Sequence, residues 1–347
     1  MSRVYLDHNA TAPLRAEARA AMVAALDVSG NPSSVHAEGR SAVALKEKAR
    51  NQIAAAFGAE GADIVFTSGA TEAAALALAG RGLTCAAVEH ECVTAWCDPV
   101  LDVTADGGVG VPDPASSSLQ LANSETGALQ ALPDGIAVCD AVQAAGKIPF
   151  DFNGSGAEMA FVSAHKFGGP KGVGALILRR GTDVDALLKG GGQEMGRRAG
   201  TENLVGIAGF GAAATAAAQD VALGRWDEIT EFRNILEIAL EAGMKQTIFV
   251  GKAGARLPNT SCVITPGWQG ATQVMQMDLV GFAISAGSAC SSGKVKSSAV
   301  LRAMGFDEAL SGQAMRVSLG LETTKEAVLR FADIWIAACK KHAQRAA

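Results

Sequence analysis

Met159-Ala160-Phe161-Val162-Ser163-Ala164-His165-Lys166-Phe167-Gly168-Gly169-Pro170-Lys171-Gly172 joins an apolar run to a glycine-rich turn, with one lysine set between a histidine and the glycines. Val173 to Leu178 reads as the strand that follows. A lysine beside backbone that glycines allow to come close can hold a carbonyl cofactor as a Schiff base, provided its amine is neutral often enough to attack. Lys166 is therefore the candidate reactive group, although Ser163 to Gly172 taken alone also suits a surface turn with two ordinary lysines.

Upstream, other short apolar runs end in residues that bear chemistry. Asp63 to Thr67 ends at Ser68-Gly69-Ala70-Thr71, where a helix opens; its free backbone N–H groups and the Thr71 hydroxyl suit a phosphate or a plain helix cap. Cys85 to Val88 ends at Glu89-His90-Glu91, and His90 could stack on an aromatic ligand or cap the short helix behind it. A strand is expected at Ser118 to Ala122, then Asn123-Ser124-Glu125-Thr126-Gly127, then a strand from Ile136 to Asp140. Asp140 could hold the proton of a cationic ring nitrogen or cap a helix starting at Ala141, and Gln143 lies one turn beyond it. A short strand around a Gly-Gly turn is expected from Val103 to Val111. Strands that repeatedly end in ligand-like residues point to an α/β sheet domain with one active-site edge.

Helices are expected from Pro13 to Leu26, from Ser41 to Phe57, and from Arg225 to Ala242. Gly190 to Asn203 is the most glycine-rich segment and carries Arg197, Arg198 and Thr201, a set suited to an anion or to a subunit contact. Beyond Phe249 the elements are short and mixed: a strand at Thr260 to Ile264, a helix near Thr272 to Leu279, strands at Ala283 to Ser285 and Met315 to Leu319, and a last helix from Lys325 to Lys341. This predicts residues 1–15 packing beside a small α+β domain of residues 243–347, with a large domain of residues 16–242 between them.

Composition narrows the class. The chain has 347 residues, 49% of them hydrophobic, and a formal charge of -5 from 30 basic and 35 acidic residues, which disfavours nucleic-acid binding as the main role. Neither the start nor any later stretch reads as a membrane span, so a soluble cytoplasmic protein is expected. Seven cysteines without a CxxC pair suggest reduced thiols. Cys85, Cys139, Cys262 and Cys339 sit in apolar elements, and Cys92 and Cys97 lie near His90. Cys290 differs, because small residues on both sides leave its thiol accessible on a Gly/Ser loop that could collect an atom and deliver it elsewhere.

Together these segments resemble the cysteine desulfurases of the NifS and IscS type, among the fold-type I enzymes that use pyridoxal phosphate. The likeness rests on YLDHNATAPL (5–14), NPSSVHAEG (31–39), TSGATE (67–72), EH (89–90), ANSETG (122–127) and DAVQAAGK (140–147). It continues through SAHKFGGPKGVGAL (163–176), GGGQEMGRRAGTEN (190–203), LPNTS (257–261), SAGSACSSG (285–293) and RVSLG (316–320), in family order.

The resemblance implies a mostly parallel seven-stranded sheet in the large domain, pyridoxal 5'-phosphate as cofactor, a homodimer, L-cysteine as substrate, and an iron–sulfur scaffold or another sulfur-acceptor protein as partner. Lys166 would bind the cofactor and shuttle a proton, and His90 would stack on its ring and share in proton transfer. Asp140 would pair with the ring nitrogen and Gln143 with the phenolic oxygen. Ala70, Thr71, Ser163 and His165 would hold the phosphate, with Thr201 reaching in from the other subunit. Arg316, Asn31 and Asn123 would bind the substrate. Cys290 would carry the sulfur as a persulfide; no resident metal is implied, though Cys290 could ligate an iron–sulfur cluster in transit. Ser124 stands where relatives have a second asparagine, and Met195 where they commonly have arginine. A selenocysteine lyase, or a low-activity scaffold for sulfur-transfer partners, is the alternative the sequence leaves open.

Overall fold

The computed structural model describes residues 3–287 and 297–346, so Cys290 lies outside the described residues. In chain order the strands are β1 (Val4–Tyr5), β2 (Asp63–Thr67), β3 (Thr84–Ala86), β4 (Asp98–Leu101), β5 (Ser118–Gln120), β6 (Val138–Asp140), β7 (Met159–Ser163), β8 (Gly174–Leu178), β9 (Ile248–Phe249), β10 (Thr260–Ile264), β11 (Phe282–Ala283), β12 (Ser285–Ala286) and β13 (Ala314–Ser318). The helices are α1 (Ala16–Ala25), α2 (Ala37–Ala56), α3 (Ala70–Leu78), α4 (Glu91–Thr94), α5 (Leu204–Ala222), α6 (Arg225–Gly243), α7 (Gly270–Leu279), α8 (Ala299–Ala303), α9 (Glu308–Ser311) and α10 (Lys325–Ala346).

The larger sheet has the order β2-β8-β7-β6-β5. Every residue of β7 and β8 is buried, as expected of strands covered on both faces. β5, β6 and β7 are mutually parallel, whereas β8 runs antiparallel to both β7 and β2. The reversal has a simple cause: the lysine turn is too short to hold the crossover that a parallel return requires. The sheet is therefore mixed, with five strands in continuous ladders. A parallel bridge between Thr84 and Ser117 sets the two-stranded β3-β4 pair beside β5. β4 escaped sequence reading because Pro99 lies in it; proline is tolerated there because the strand is an exposed edge.

Two other expectations fail locally. Val103 to Val111 forms only the single bridge Val103–Val109, and the segment after Asp140 is a series of turns rather than a helix. Side chains pack both faces of the sheet, with Phe57, Phe66, Phe152, Phe167 and Phe210 on one face and Leu76, Leu78 and Val93 of α3 and α4 on the other. Contrary to the expectation for membrane spans, α5 is long and apolar enough to cross a membrane by length and composition. Its most apolar window is 61% buried inside the protein, and its residues Ile207, Phe210, Ala213 and Ala214 belong to the core beneath the sheet.

A second, antiparallel sheet has the order β12-β13-β10-β9 and packs with α6, α7 and α10 around Trp268, Phe331 and Trp335. The start of the chain joins it: β1 pairs in parallel with β11, and Asp7 bridges to Ser318. From there the chain crosses to the lysine turn, where Ala12 N donates to His165 O and Arg15 N to Gly168 O.

Candidate active site

A cavity of about 620 Å³ opens where the first sheet meets β13, at the C-terminal ends of β2, β5, β6 and β7. It is lined by Asn9, Ala10, Thr11, Ser68 to Thr71, His90, Cys92, Gln120, Ser124, Asp140, Gln143, Ser163, His165, Lys166, Lys171 and Arg316, among others. The turn at Ser68-Gly69 can sit against the sheet because β8 begins with glycine. A Cβ on Gly174 would lie 2.7 Å from Val162 O and 2.8 Å from the Gly69 carbonyl carbon. α3 starts at Ala70, so its first N–H groups and the Thr71 hydroxyl stand at the cavity wall, an arrangement that attracts an anion. Glu72, in the same turn, is turned to other uses: it accepts from Ser68 N at 2.8 Å and pairs with Arg198 Nε at 2.8 Å.

Lys166 ends a single helical turn, Ala164–Lys166, that Phe167 anchors in the core against Phe57 and Phe210. The start of the chain clamps this turn from outside. Arg15 donates through Nε to Phe167 O at 2.8 Å and pairs through Nη1 with Asp220 at 2.6 Å. Lys166 Nζ donates to Asn9 O at 2.7 Å and to Ala10 O at 3.1 Å. The His165 ring Nδ1 lies 3.2 Å from Thr11 Oγ1, and burial together with the Lys166, Lys171 and Lys147 cations pushes its pKa down to about 4.

Asp140 is buried, with Oδ1 accepting from Val142 N at 2.8 Å. That bond closes a local turn, and no helix follows for it to cap. Burial raises its pKa to about 6, opposed by the Val142 bond and the Lys166 cation. A carboxylate so placed gains from a cationic N–H partner. Gln143 donates from Nε2 to Asn9 O at 3.0 Å and receives Lys147 Nζ on Oε1 at 2.6 Å. His90 satisfies both sequence readings, since its Nδ1 accepts from Cys92 N at 3.1 Å as the cap of α4 while the ring lines the cavity. With Nδ1 accepting, Nε2 carries the ring proton. Desolvation and the Lys166 cation lower its pKa and favour the neutral ring.

Arg316 is buried on β13, with Nη2 on Asp7 Oδ1 at 2.7 Å and Nη1 on Ser124 O at 3.1 Å, while its buried Nε has no hydrogen-bond partner among the described residues. Ser124 lines the cavity and Asn123 does not. The Asn123 side chain serves its own turn: Oδ1 accepts from Glu125 N and Thr126 N, both at 2.9 Å, and Nδ2 donates to Val88 O at 3.0 Å. Asn31 and Thr201 are exposed and stand outside this cavity. Beside the segment that contains Cys290, Ser298 caps α8 and donates to Glu125 Oε2 at 2.5 Å.

Sequence reasoning missed four residues here. Asn9 is a hub: its carbonyl accepts from Lys166 and Gln143, and its side chain meets Lys147, Asn259, Thr260 and the carbonyl of Ser124. Lys147 is a buried amine whose pKa is pushed well down by burial and the nearby Lys166 and Arg316 cations, and Glu125 a carboxyl raised to about 7 by burial. Glu89 is buried beside Asp140, with Oε1 on Gln120 N at 2.7 Å and Oε2 unpartnered among the described residues; burial and Asp140 raise its pKa well above the usual range. The available signal was the density of polar residues in DHNAT and DAVQAAGK, but whether they turn inward depends on long-range packing. Among the other cysteines, Cys85, Cys97, Cys139, Cys262 and Cys339 are buried, and Cys92 reaches the cavity wall.

The groups present fit pyridoxal 5'-phosphate: a lysine amine, a buried carboxylate for the ring nitrogen, an amide donor for the ring oxygen, and an anion-binding helix start with hydroxyls nearby. The profile of class-V aminotransferases matches residues 4–96 and 117–331. A cysteine desulfurase of Cereibacter sphaeroides is 38% identical, over 96% of this chain and 95% of its own length. The cysteine desulfurase IscS of Dictyoglomus turgidum is 36% identical, over 93% of this chain and 91% of its own. The crystal structure of a NifS-like protein from Rickettsia africae superposes with a TM-score of 0.87 at 28% identity, covering 99% of both chains.

Proposed function

The chain belongs to the class-V aminotransferase family, and from that membership we propose that it is a pyridoxal phosphate-dependent cysteine desulfurase, which converts L-cysteine to L-alanine and takes the sulfur as a persulfide on Cys290. The observation that carries the reading is the convergence of Lys166, Asp140, Gln143, His90 and Arg316 on one cavity beside the α3 start. When bound, the cofactor supplies an electron sink for the negative charge that forms at the substrate α-carbon.

The chain supplies the rest. Lys166 holds the cofactor carbonyl carbon and moves the proton at the substrate α-carbon, so its two carbonyl partners on Asn9 and Ala10 must release it when it reacts. Asp140 holds the proton on the ring nitrogen, Gln143 donates to the ring oxygen, and neutral His90 flanks the ring. Ala70, Thr71, Ser163 and His165 hold the phosphate. Arg316 receives the substrate carboxylate, its guanidinium already oriented by Asp7 and Ser124. Asn123 supports that site by shaping the turn that presents Ser124, and Asn31 joins it from the neighbouring loop. The Cys290 thiolate attacks the substrate sulfur; the S–S bond forms as the C–S bond breaks, and the electron pair left on carbon is protonated to give alanine.

In this reading the enzyme is a homodimer, and exposed Thr201 serves the partner subunit's phosphate site. It works as a large cofactor-binding domain of residues 16–242, in which β3 and β4 join the five strands as one seven-stranded sheet, and a small domain of residues 243–347 that carries Cys290, with residues 1–15 packed beside it. The persulfide passes in the cytoplasm to an iron–sulfur scaffold or another acceptor protein. The test is alanine release from L-cysteine by the cofactor-loaded protein. We expect Lys166→Ala to lower it by about a thousandfold or more, since both attachment and proton transfer are lost. Alanine release at the wild-type rate by that variant, or none by the loaded wild type, would overturn the reading.

A further inference from the structure

Lys147 is nearly fully buried, at 3% exposure, and has no assigned part in the chemistry above. Its Nζ donates to two amide oxygens, Gln143 Oε1 at 2.6 Å and Asn9 Oδ1 at 3.2 Å. Burial, with the Lys166 and Arg316 cations nearby, holds its pKa well below the usual lysine range, so keeping an amine there is costly. A lysine kept in such a place calls for an explanation in what it does to those amides.

We propose that Lys147 is a positioning residue for the cofactor, fixing the Gln143 amide with its N–H edge toward the cavity. This rests on the reading of the cavity as a pyridoxal phosphate site. Lys147 Nζ donates to Gln143 Oε1, so the amide oxygen faces Lys147. A backbone carbonyl can only accept, so Nε2 must face Asn9 O, where it lies at 3.0 Å. Both partners impose the same orientation, and Gln143 therefore meets the ring oxygen as a donor.

The second contact extends the effect. Asn9 Oδ1 receives Lys147 Nζ and Asn259 Nδ2, so Asn9 Nδ2 is turned toward Thr260 Oγ1 at 2.8 Å and Ser124 O at 3.2 Å. The Asn9 carbonyl that receives Lys166 thus sits on a residue whose side chain is pinned by Lys147, Asn259, Thr260 and Ser124. Lys147 acts on the cofactor only through these amides, with Gln143 the direct one.

The experiment titrates apoprotein with pyridoxal 5'-phosphate and records the visible absorption band of the bound cofactor for wild type, Lys147→Met, Gln143→Met and the double variant. Loss of a buried hydrogen bond that orients a cofactor donor should weaken binding by about tenfold in Lys147→Met and shift the band. In the Gln143→Met background the same change should add less than about twofold and leave the band where Gln143→Met puts it. Far-UV circular dichroism checks folding, and Lys147→Gln carries the same comparison if the methionine variant does not fold. A folded Lys147 variant with wild-type affinity and band, or effects of the two substitutions that multiply, would overturn the proposal. Wild type that takes up no cofactor would overturn the reading of the cavity itself, a result distinct from a failure of Lys147 to act through Gln143.

Discussion

Glu125 shows how a single side chain couples the substrate wall to the start of α8. It follows Ser124, which lines the cavity, and its Oε2 receives the hydroxyl of Ser298, the residue that opens α8. Burial raises its pKa from 4.5 to about 7, against the pull of Ser298 and Arg316. Between those values the folded protein binds the proton that the unfolded chain has released, so this carboxyl destabilises the fold increasingly as pH rises from 4.5 through 7. Glu125→Gln keeps an acceptor for Ser298 and removes the charge. It should therefore gain about 1–3 kcal/mol relative to wild type at pH 8 and little at pH 5, read from urea unfolding midpoints. An equal change at both pH values would contradict this. Chemistry at this scale was legible where a residue type is uncommon in its setting, as with Lys166 before paired glycines or Asp140 at a strand end. Glu125, Glu89 and Lys147 were not, because nothing local distinguishes a buried charged side chain from a solvated one.

At the scale of elements, the site depends on how closely β8 approaches the turn before α3. Gly174 faces backbone atoms of Val162 and Gly69 at distances that leave no room for a methyl group. Gly174→Ala should push the Ser68–Thr71 turn away from the sheet and weaken cofactor binding by about tenfold or more, with a stability loss of about 1–3 kcal/mol from overpacking. Cofactor titration and urea unfolding of the variant give both numbers, and unchanged affinity would show that the turn position does not matter. Most elements could be read from periodicity, including β7, β8 and α6 to within a few residues. What escaped was set by partners in space. β4 exists because β3 lies beside it, and the turns after Asp140 replace a helix because Gly146, at φ +74°, packs against Phe167 and Ala217 with no room for a side chain.

Over the whole molecule, acid acts on buried groups of opposite sense. His8, with its pKa pushed from 6.5 to about 4 by burial and the Lys147 cation, and His165, lowered as far, stay neutral when folded while the unfolded chain is protonated. Each leaves stability untouched above pH 6.5 and destabilises the fold increasingly as pH falls from 6.5 toward 4, because only the unfolded chain takes up the proton there. Asp140 and Glu125, raised to about 6 and about 7, gain protons in the folded state first and work the other way. His165→Asn removes one destabilising term and leaves the carboxyls. Its apoprotein should gain about 1–2 kcal/mol on wild type between pH 7 and pH 4.5, allowing for solvent screening at a half-buried ring. Urea midpoints that fall in parallel would contradict it.

The α/β class was legible from strand-end residues and their order. The reversal of β8 could be deduced only by asking how few residues join it to β7. The central claim joins Lys166 inside the cavity to Cys290, which lies outside the described residues, and intact-protein mass measurement after brief exposure of the cofactor-loaded enzyme to L-cysteine tests it most directly. The account predicts an increase equal to one sulfur atom, reversed by a thiol reductant, located at residue 290 by peptide mapping and absent from Cys290→Ala. Alanine release with no added sulfur on Cys290, or sulfur carried equally well by Cys290→Ala, would contradict it.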